Sequence, residues 1–232
     1  TALDANGNLN STASTTFTFS APETGASLSA SICTTTAGSC SVTLSATVAG
    51  SYAITASLGG TPLGGTNPVV GTFVAGTPTA STARVALSAG PKTADGVDAY
   101  TLTVSALDAN GNLNTASAIT VSFSAPGAGA SLSAAQCTTA TSGGAAGTCS
   151  VSLTATVAGS YPITASLGGT PLSGSNPVTA VFVAGAVSAG GSSLSMNPPG
   201  PLTADGVAAY TLTVRAQDAN GNLNAGTAQT FS

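Results

Sequence analysis

An all-β protein, built from small antiparallel two-sheet sandwiches of about seven strands each and set in a row as a rod, is the fold class this sequence predicts. Three observations carry that prediction. Apolar residues alternate with polar ones at period two, as in Tyr100, Leu102, Val104 and Ala106 against Thr101, Thr103 and Ser105. That is the spacing of a strand with one buried face, not of a helix. Whole phrases recur at regular intervals along the chain. Helix signals are absent, and the abundance of Thr, Val and Ser favours strands.

The recurrence sets the domain organisation. Asp-Ala-Asn-Gly-Asn-Leu-Asn occurs at 4–10, 108–114 and 218–224, and Tyr-Thr-Leu-Thr-Val at 100–104 and 210–214. The offset is 104 residues up to the first cysteine, 109 beyond the second and 110 after Gly76. Such a repeat exceeds the roughly 20 to 50 residues of a solenoid unit, so each copy is read as a domain with its own core. With linkers near Gly76 and Gly185, residues 77–186 are a complete unit, 1–76 a unit lacking its first strands, and 187–232 the opening strands of a further unit. Two arrangements complete the part-units: a longer covalent array, which is the simpler, or donation of strands between copies, with 187–216 supplying what 1–76 lacks.

Within the complete unit each strand has its own signal. Val85 and Leu87 mark a short first strand, and Tyr100 to Ala106 a second, introduced by the turn residues Asp95 and Gly96. Val121 and Phe123 form the third, after Asn110-Gly111, and Ala130 and Leu132 the fourth. Val151, Leu153, Ala155 and Val157 make the fifth; Tyr161, Ile163, Ala165 and Leu167 read as a single sixth strand; Val178 to Val183 is the seventh. The stretches 61–68 and 170–177, each preceded by a Gly pair and containing Pro, read as long surface loops suited to variable contacts. The segment between the cysteines grows by five residues from one unit to the next, which places it on the surface as well.

Composition then excludes whole classes of function. Hydrophobic residues make up 42% and charged residues only 4%, with three Lys and Arg, seven Asp and Glu, and no His or Trp. Nucleic-acid binding lacks the cations to neutralise phosphates. Without His, imidazole base catalysis and His-ligated metals fall away, and no Ser or Thr can be picked as a nucleophile without a base, so no enzymatic activity and no cofactor are expected. Ser, Thr, Gly or Pro interrupts every apolar run, so no membrane helix is expected within these residues. The low charge combined with high hydrophobicity is the reverse of a disordered composition.

The motifs read as structural. Asn6-Gly7, Asn110-Gly111 and Asn220-Gly221 lie between alternating segments, where a type I′ hairpin turn needs positive φ at both central residues. Asp4, Asp108 and Asp218 stand two residues earlier, placed to cap those turns. Asp-x-Asn-x-Asn also opens like a calcium loop, but its later Gly and bidentate Glu are missing. A calcium ion at a domain junction near Asp95 or Asp205 is short of carboxylates, because Ala208 stands where Asp98 does. Two cysteines per unit at equivalent places read as disulfides, Cys33 with Cys40 and Cys137 with Cys149, and hence as a sign of an oxidising compartment. Tyr52 and Tyr161 follow Ala-Gly-Ser at the start of a strand, as either tyrosine corners or ordinary core aromatics.

Several phrases in the same order resemble one family. Ala-Asp-Gly-Val-Ala-Ala-Tyr-Thr-Leu-Thr-Val (204–214), Asp-Ala-Asn-Gly-Asn (218–222), Val-Ser-Phe-Ser-Ala-Pro (121–126) and Ala-Gly-Ser-Tyr-Pro-Ile-Thr-Ala-Ser (158–166) look like the bacterial Ig-like (Big_1) repeats of the invasin and intimin type. The resemblance covers essentially the whole chain. It implies Ig-like sandwiches forming the stalk of a surface adhesin or an extracellular fibre, at the bacterial cell surface or outside the cell, supporting adhesion or biofilm matrix. Recognition in that family is usually concentrated at a distal tip, which leaves a host or surface receptor to regions outside this segment. The alternative role is a receptor- or glycan-binding module acting through its loops. Strand faces of Ser, Thr and Ala lack the charged residues that keep edges apart, so neighbouring copies of the chain itself are expected partners, end to end or side by side.

Overall fold

The computed structural model describes every residue except 175, 227, 229, 231 and 232. The first unit contains β1 (Thr16–Phe19), β2 (Ala26–Leu28), β3 (Ile32–Thr34), β4 (Leu44–Ala46), β5 (Gly50–Ile54), β6 (Ala56–Leu58), β7 (Thr61–Pro62) and β8 (Val69–Phe73). The central unit contains β9 (Arg84–Leu87), β10 (Lys92–Thr93), β11 (Tyr100–Ser105), β12 (Thr120–Phe123), β13 (Ala130–Leu132), β14 (Gln136–Thr138), β15 (Thr148–Ala155), β16 (Gly159–Ile163), β17 (Ala165–Leu167), β18 (Thr170–Pro171) and β19 (Val178–Val183). The third segment contains β20 (Ser193–Asn197) and β21 (Thr211–Arg215).

In the central unit one layer is the antiparallel sheet β13-β15-β11-β9, with Leu102 opposite Val151 and Val104 opposite Val85. The other layer consists of β14-β12-β17-β18 and β10-β19-β16. Inward residues of both layers, among them Leu102, Leu153, Val121, Ile163 and Phe182, are fully buried, each contributing roughly 1.5–3 kcal/mol by leaving water. The Phe182 ring is the centre of this core. Tyr100 and Tyr161 meet it edge to face at 5.2 and 5.9 Å, which fixes how the layers stack. The Cys137–Cys149 disulfide ties β14 in one layer to β15 in the other, and Cys33–Cys40 stands at the equivalent place in the first unit.

Outward faces carry hydroxyls in place of charges. Thr120 and Thr138 share a hydrogen bond of 2.8 Å across β12 and β14, and Thr16 with Thr34 repeats it at 2.9 Å. These cross-strand pairs satisfy one another along the strands.

Three readings of the sequence are corrected. The apolar run from Tyr161 to Leu167 is not one strand: β16 pairs with β19, β17 pairs with β12, and only Thr164 separates them. Thr164 exchanges two bonds with Ser124, its N–H to Ser124 Oγ (3.0 Å) and its C=O from Ser124 N–H (2.9 Å), so the chain bends from one sheet to the other there. The stretch 170–177 is not all loop, because β18 folds back on β17 and Leu172 is buried in the core. In the first unit the stretch 61–68 likewise begins with a strand, β7, paired to β6.

The flanking segments are less enclosed than the centre. β15 runs eight residues because β11 pairs along its first part, whereas its counterpart β4 has three and is flanked only by β2. The β20–β21 hairpin is exposed on both faces.

Candidate functional site: the joints between successive units

The repeated Asp-Ala-Asn-Gly-Asn phrase builds a hairpin loop that reaches into its neighbour. In the loop at 108–112, Gly111 N–H donates to the Asp108 carbonyl (3.0 Å) and Asp108 N–H to the Asn112 carbonyl (2.9 Å). Gly7, Gly111 and Gly221 have φ of 81°, 84° and 82°, while no Asn of the three loops has positive φ. The expected type I′ turn is therefore replaced by a three-residue loop, a turn closed by one left-handed glycine. The physical reason is the aspartate. Its Oδ1 accepts the N–H groups of both Asn110 and Asn112 at 2.9 Å, which winds the residues between them into an ordinary right-handed turn.

Asp108 also holds the linker. Its Oδ2 accepts Gly76 N–H at 2.8 Å, and Asn114 Nδ2 donates to the Gly76 carbonyl at 2.6 Å. Both polar groups of one linker residue are thus satisfied by the unit that follows it, and Asp108 and Asn114 are buried by the contact. A Cβ at 76 is not sterically forbidden, since it would lie 3.6 Å from Asp108 Oδ2, an ordinary contact distance.

Asn112 completes the joint by grasping the unit before it. Its Nδ2 donates to the Thr47 carbonyl (3.0 Å) and to Asp108 Oδ2 (3.0 Å), and its Oδ1 accepts Ala49 N–H (2.9 Å). The turn it grasps is itself pinned from within: Tyr52 Oη donates to the Val48 carbonyl at 2.8 Å. Tyr161 bonds the Val157 carbonyl in the same way at 2.8 Å, so the tyrosine-corner alternative is the one formed.

The second joint repeats the first atom for atom and adds to it. Gly185 N–H donates to Asp218 Oδ2 (2.9 Å), Asn224 Nδ2 to the Gly185 carbonyl (2.8 Å), Ala158 N–H to Asn222 Oδ1 (2.8 Å) and Asn222 Nδ2 to the Thr156 carbonyl (3.0 Å). In addition Asn220 Nδ2 donates to the Ala94 carbonyl at 3.0 Å, beside the Asp95 turn. The loop at 4–8 has the same internal bonds, Asn6 and Asn8 N–H to Asp4 Oδ1, but makes no hydrogen bond to a neighbouring unit among the described residues.

The electrostatics follow from these bonds. The Asn112 amide first, then the Gly76 N–H, hold the Asp108 carboxyl down at about 2, against an ordinary 3.8. Around Asp218 burial alone would push the carboxyl up, but the bonds from Asn222 and Gly185 outweigh it and leave it below its ordinary value. With its oxygens occupied by N–H donors, Asp108 offers little to a cation. Asp95 accepts the N–H groups of Val97 and Asp98, and Asp98 pairs with Lys92 at 3.2 Å. Among the described residues no group of three metal-binding side chains comes together, and no helix is long and apolar enough to cross a membrane.

Sequence reasoning placed Asp108, Asn110 and Gly111 on a turn, but missed Asn112, Asn114 and Asn222 as the side chains that bridge units. The signal was present in the recurring second and third Asn of the phrase, which a turn alone does not require.

Known proteins share the fold of these units. Residues 82–183 match the family described as Bacterial Ig-like domain (group 1). Among solved structures, invasin, a bacterial integrin-binding protein, is 26% identical over 98% of this chain and 44% of its own, with a TM-score of 0.51. FdeC, an adhesin of Escherichia coli, is 21% identical over 96% of this chain and 68% of its own, with a TM-score of 0.56. InvD of Yersinia pseudotuberculosis is 21% identical over 97% and 65%, with a TM-score of 0.53. The chain therefore spans less than half of invasin and about two thirds of the other two. No curated protein matches it. The fold is all-β and Ig-like, and the central unit, over residues 82–183, matches the bacterial Ig-like domain family, group 1.

Proposed function

We propose that these residues form a stalk or fibre segment of a bacterial cell-surface or extracellular protein, supporting adhesion or biofilm matrix by holding Ig-like units in line. The observation that carries this reading is the joint. Asp108 and Asn112, and again Asp218 and Asn222, spend their hydrogen bonds on the linker and on the preceding unit. A flexible linker needs none of these bonds; a rod needs them at every junction. Similarity to adhesins supports the setting, and two disulfides fit an oxidising exterior.

The test is a distance measurement across the joint. Spin labels on the outer faces of the first and central units, at Ser45 and Ser150, give a narrow distance distribution if the joint is stiff. A broad distribution, indistinguishable from that of a variant with Asn112 and Asp108 replaced by Ala, removes the stalk reading and leaves the binding-module alternative. The latter has its own support in the exposed turn between β17 and β18 at Gly168 and Gly169, whose left-handed glycines project away from the body.

A further inference from the structure

The repeated loop carries a reactive pair that its structural role does not use. Asn220 precedes Gly221, and a glycine nitrogen, with no Cβ beside it, is open to the side-chain amide of the residue before it. Attack of the Gly221 nitrogen on Asn220 Cγ closes a succinimide ring: the N–Cγ bond forms, the Cγ–Nδ2 bond breaks, and ammonia leaves with the proton of the attacking nitrogen. Water then opens the ring at either carbonyl, giving aspartate or isoaspartate. The net change is amide plus water to carboxylate plus ammonium, with no oxidant or reductant. Asn220 is exposed, so water reaches it, and Asn110 is exposed at the same place in the complete central unit.

Both reacting groups are restrained, and by different parts of the molecule. The N–H of the nucleophile donates to the Asp218 carbonyl at 3.1 Å, within the loop. The electrophile is held from outside the loop: Asn220 Nδ2 donates to the Ala94 carbonyl of the preceding unit at 3.0 Å. That second bond exists only while the joint is closed. Closure is kept by Asn222, which bonds Ala158 N–H (2.8 Å) and the Thr156 carbonyl (3.0 Å). An intramolecular attack depends on alignment, so anchoring the amide on Ala94 slows it and local opening of the joint frees it.

We propose that Asn220-Gly221 is a self-modification site governed by the joint: closed, the joint protects the amide; open, it lets the pair convert, and the product prevents closure. Either product places a carboxylate where the Ala94 carbonyl needs a donor, acceptor against acceptor. Isoaspartate also routes the main chain through the side-chain carbon, which lengthens the loop between Asp218 and Asn222. The two backbone bonds to Asp218 Oδ1, from Asn220 N–H (2.9 Å) and Asn222 N–H (2.8 Å), then lose their register, and Asn222 leaves its partners. A joint that opens long enough to react stays open. This inference rests on the bonds of the second joint and does not depend on the stalk reading.

Site-resolved mass spectrometry of the 232-residue chain, aged at mildly alkaline pH, tests it. In an Asn6→Ser, Asn110→Ser background, residue 220 belongs to the one remaining Asn-Gly pair. The folded chain is expected to convert it several-fold more slowly than the same chain in urea. Asn222→Ala removes the clasp and raises the folded-state rate at least about tenfold, the factor by which about 1.4 kcal/mol of lost docking raises the open fraction. Tyr161→Phe, remote in sequence from residue 220, raises it in the same direction through the Val157 corner, and neither variant changes the rate in urea. Converted chains, separated by their added negative charge, give a broad distance distribution between spin labels at Ser150 and Ser195, and unconverted chains a narrow one. Equal rates folded and in urea, a folded-state rate untouched by both variants, or a narrow distribution in converted chains each overturns the proposal.

Discussion

Asp108 accepts the Gly76 N–H at 2.8 Å, so the last residue of the first unit is held by a carboxylate whose other oxygen shapes the loop of the second. One side chain thereby couples turn geometry to interdomain geometry. A change at Asp108 alters both, while a change at Asn112 separates them, since the turn keeps its backbone bonds without the Asn112 side chain.

Asn112→Ala is accordingly expected to leave the central sandwich folded and to loosen the joint. It leaves Thr47 C=O and Ala49 N–H without their partner, a loss on the order of 1–2 kcal/mol in docking the two units. Unchanged far-ultraviolet circular dichroism with a broadened interspin distance checks it. Asn222→Ala acts more strongly, because Asn222 is buried and also reaches Ala94.

Acid opens the first joint, and only at low pH. The Asp108 carboxyl is depressed to about 2 from 3.8, so its contribution is complete above the ordinary value and is lost as pH falls through about 2. Interspin distances are expected to hold from neutral pH down to about pH 4 and to broaden below about pH 3. Asp108→Asn abolishes that transition.

Tyr161→Phe keeps the ring against Phe182 and removes the hydroxyl from the Val157 carbonyl. The expected cost is about 1 kcal/mol in the central unit, read as a lower urea midpoint with an unchanged slope. Because Val157 lies between Thr156 and Ala158, the residues that Asn222 grasps, the second joint softens as well.

Reduction of Cys137–Cys149 opens a link between residues 12 apart in sequence that joins the two layers. Loop entropy sets the loss at about 3 kcal/mol. Urea unfolding with and without reductant measures it, and Cys137→Ala with Cys149→Ala gives the reduced value without reductant.

The architecture was legible because its causes are local. Alternation in Tyr100 to Ser105 needs only a buried face on one side, and each cysteine pair lies within its own unit. The bend at Thr164 was not legible, since Tyr161 to Leu167 alternates without a break and only the partners β19 and β12 divide it. The turn type was misread for a related reason: Asn-Gly alone favours type I′, but Asp108 two residues earlier draws both Asn N–H groups to one oxygen.

By itself, then, the sequence determined the strand content, the repeat, the disulfide-bearing positions and the absence of the residues that imidazole chemistry requires. Only the tertiary structure decided that the repeated loop is a joint. The partners of Asn112 are Thr47 and Ala49, 65 and 63 residues away, and those of Asn222 are as distant. A side-chain amide has the same propensities whether it faces water or a neighbouring domain. Its role is set by which backbone groups the packing of two units leaves within reach.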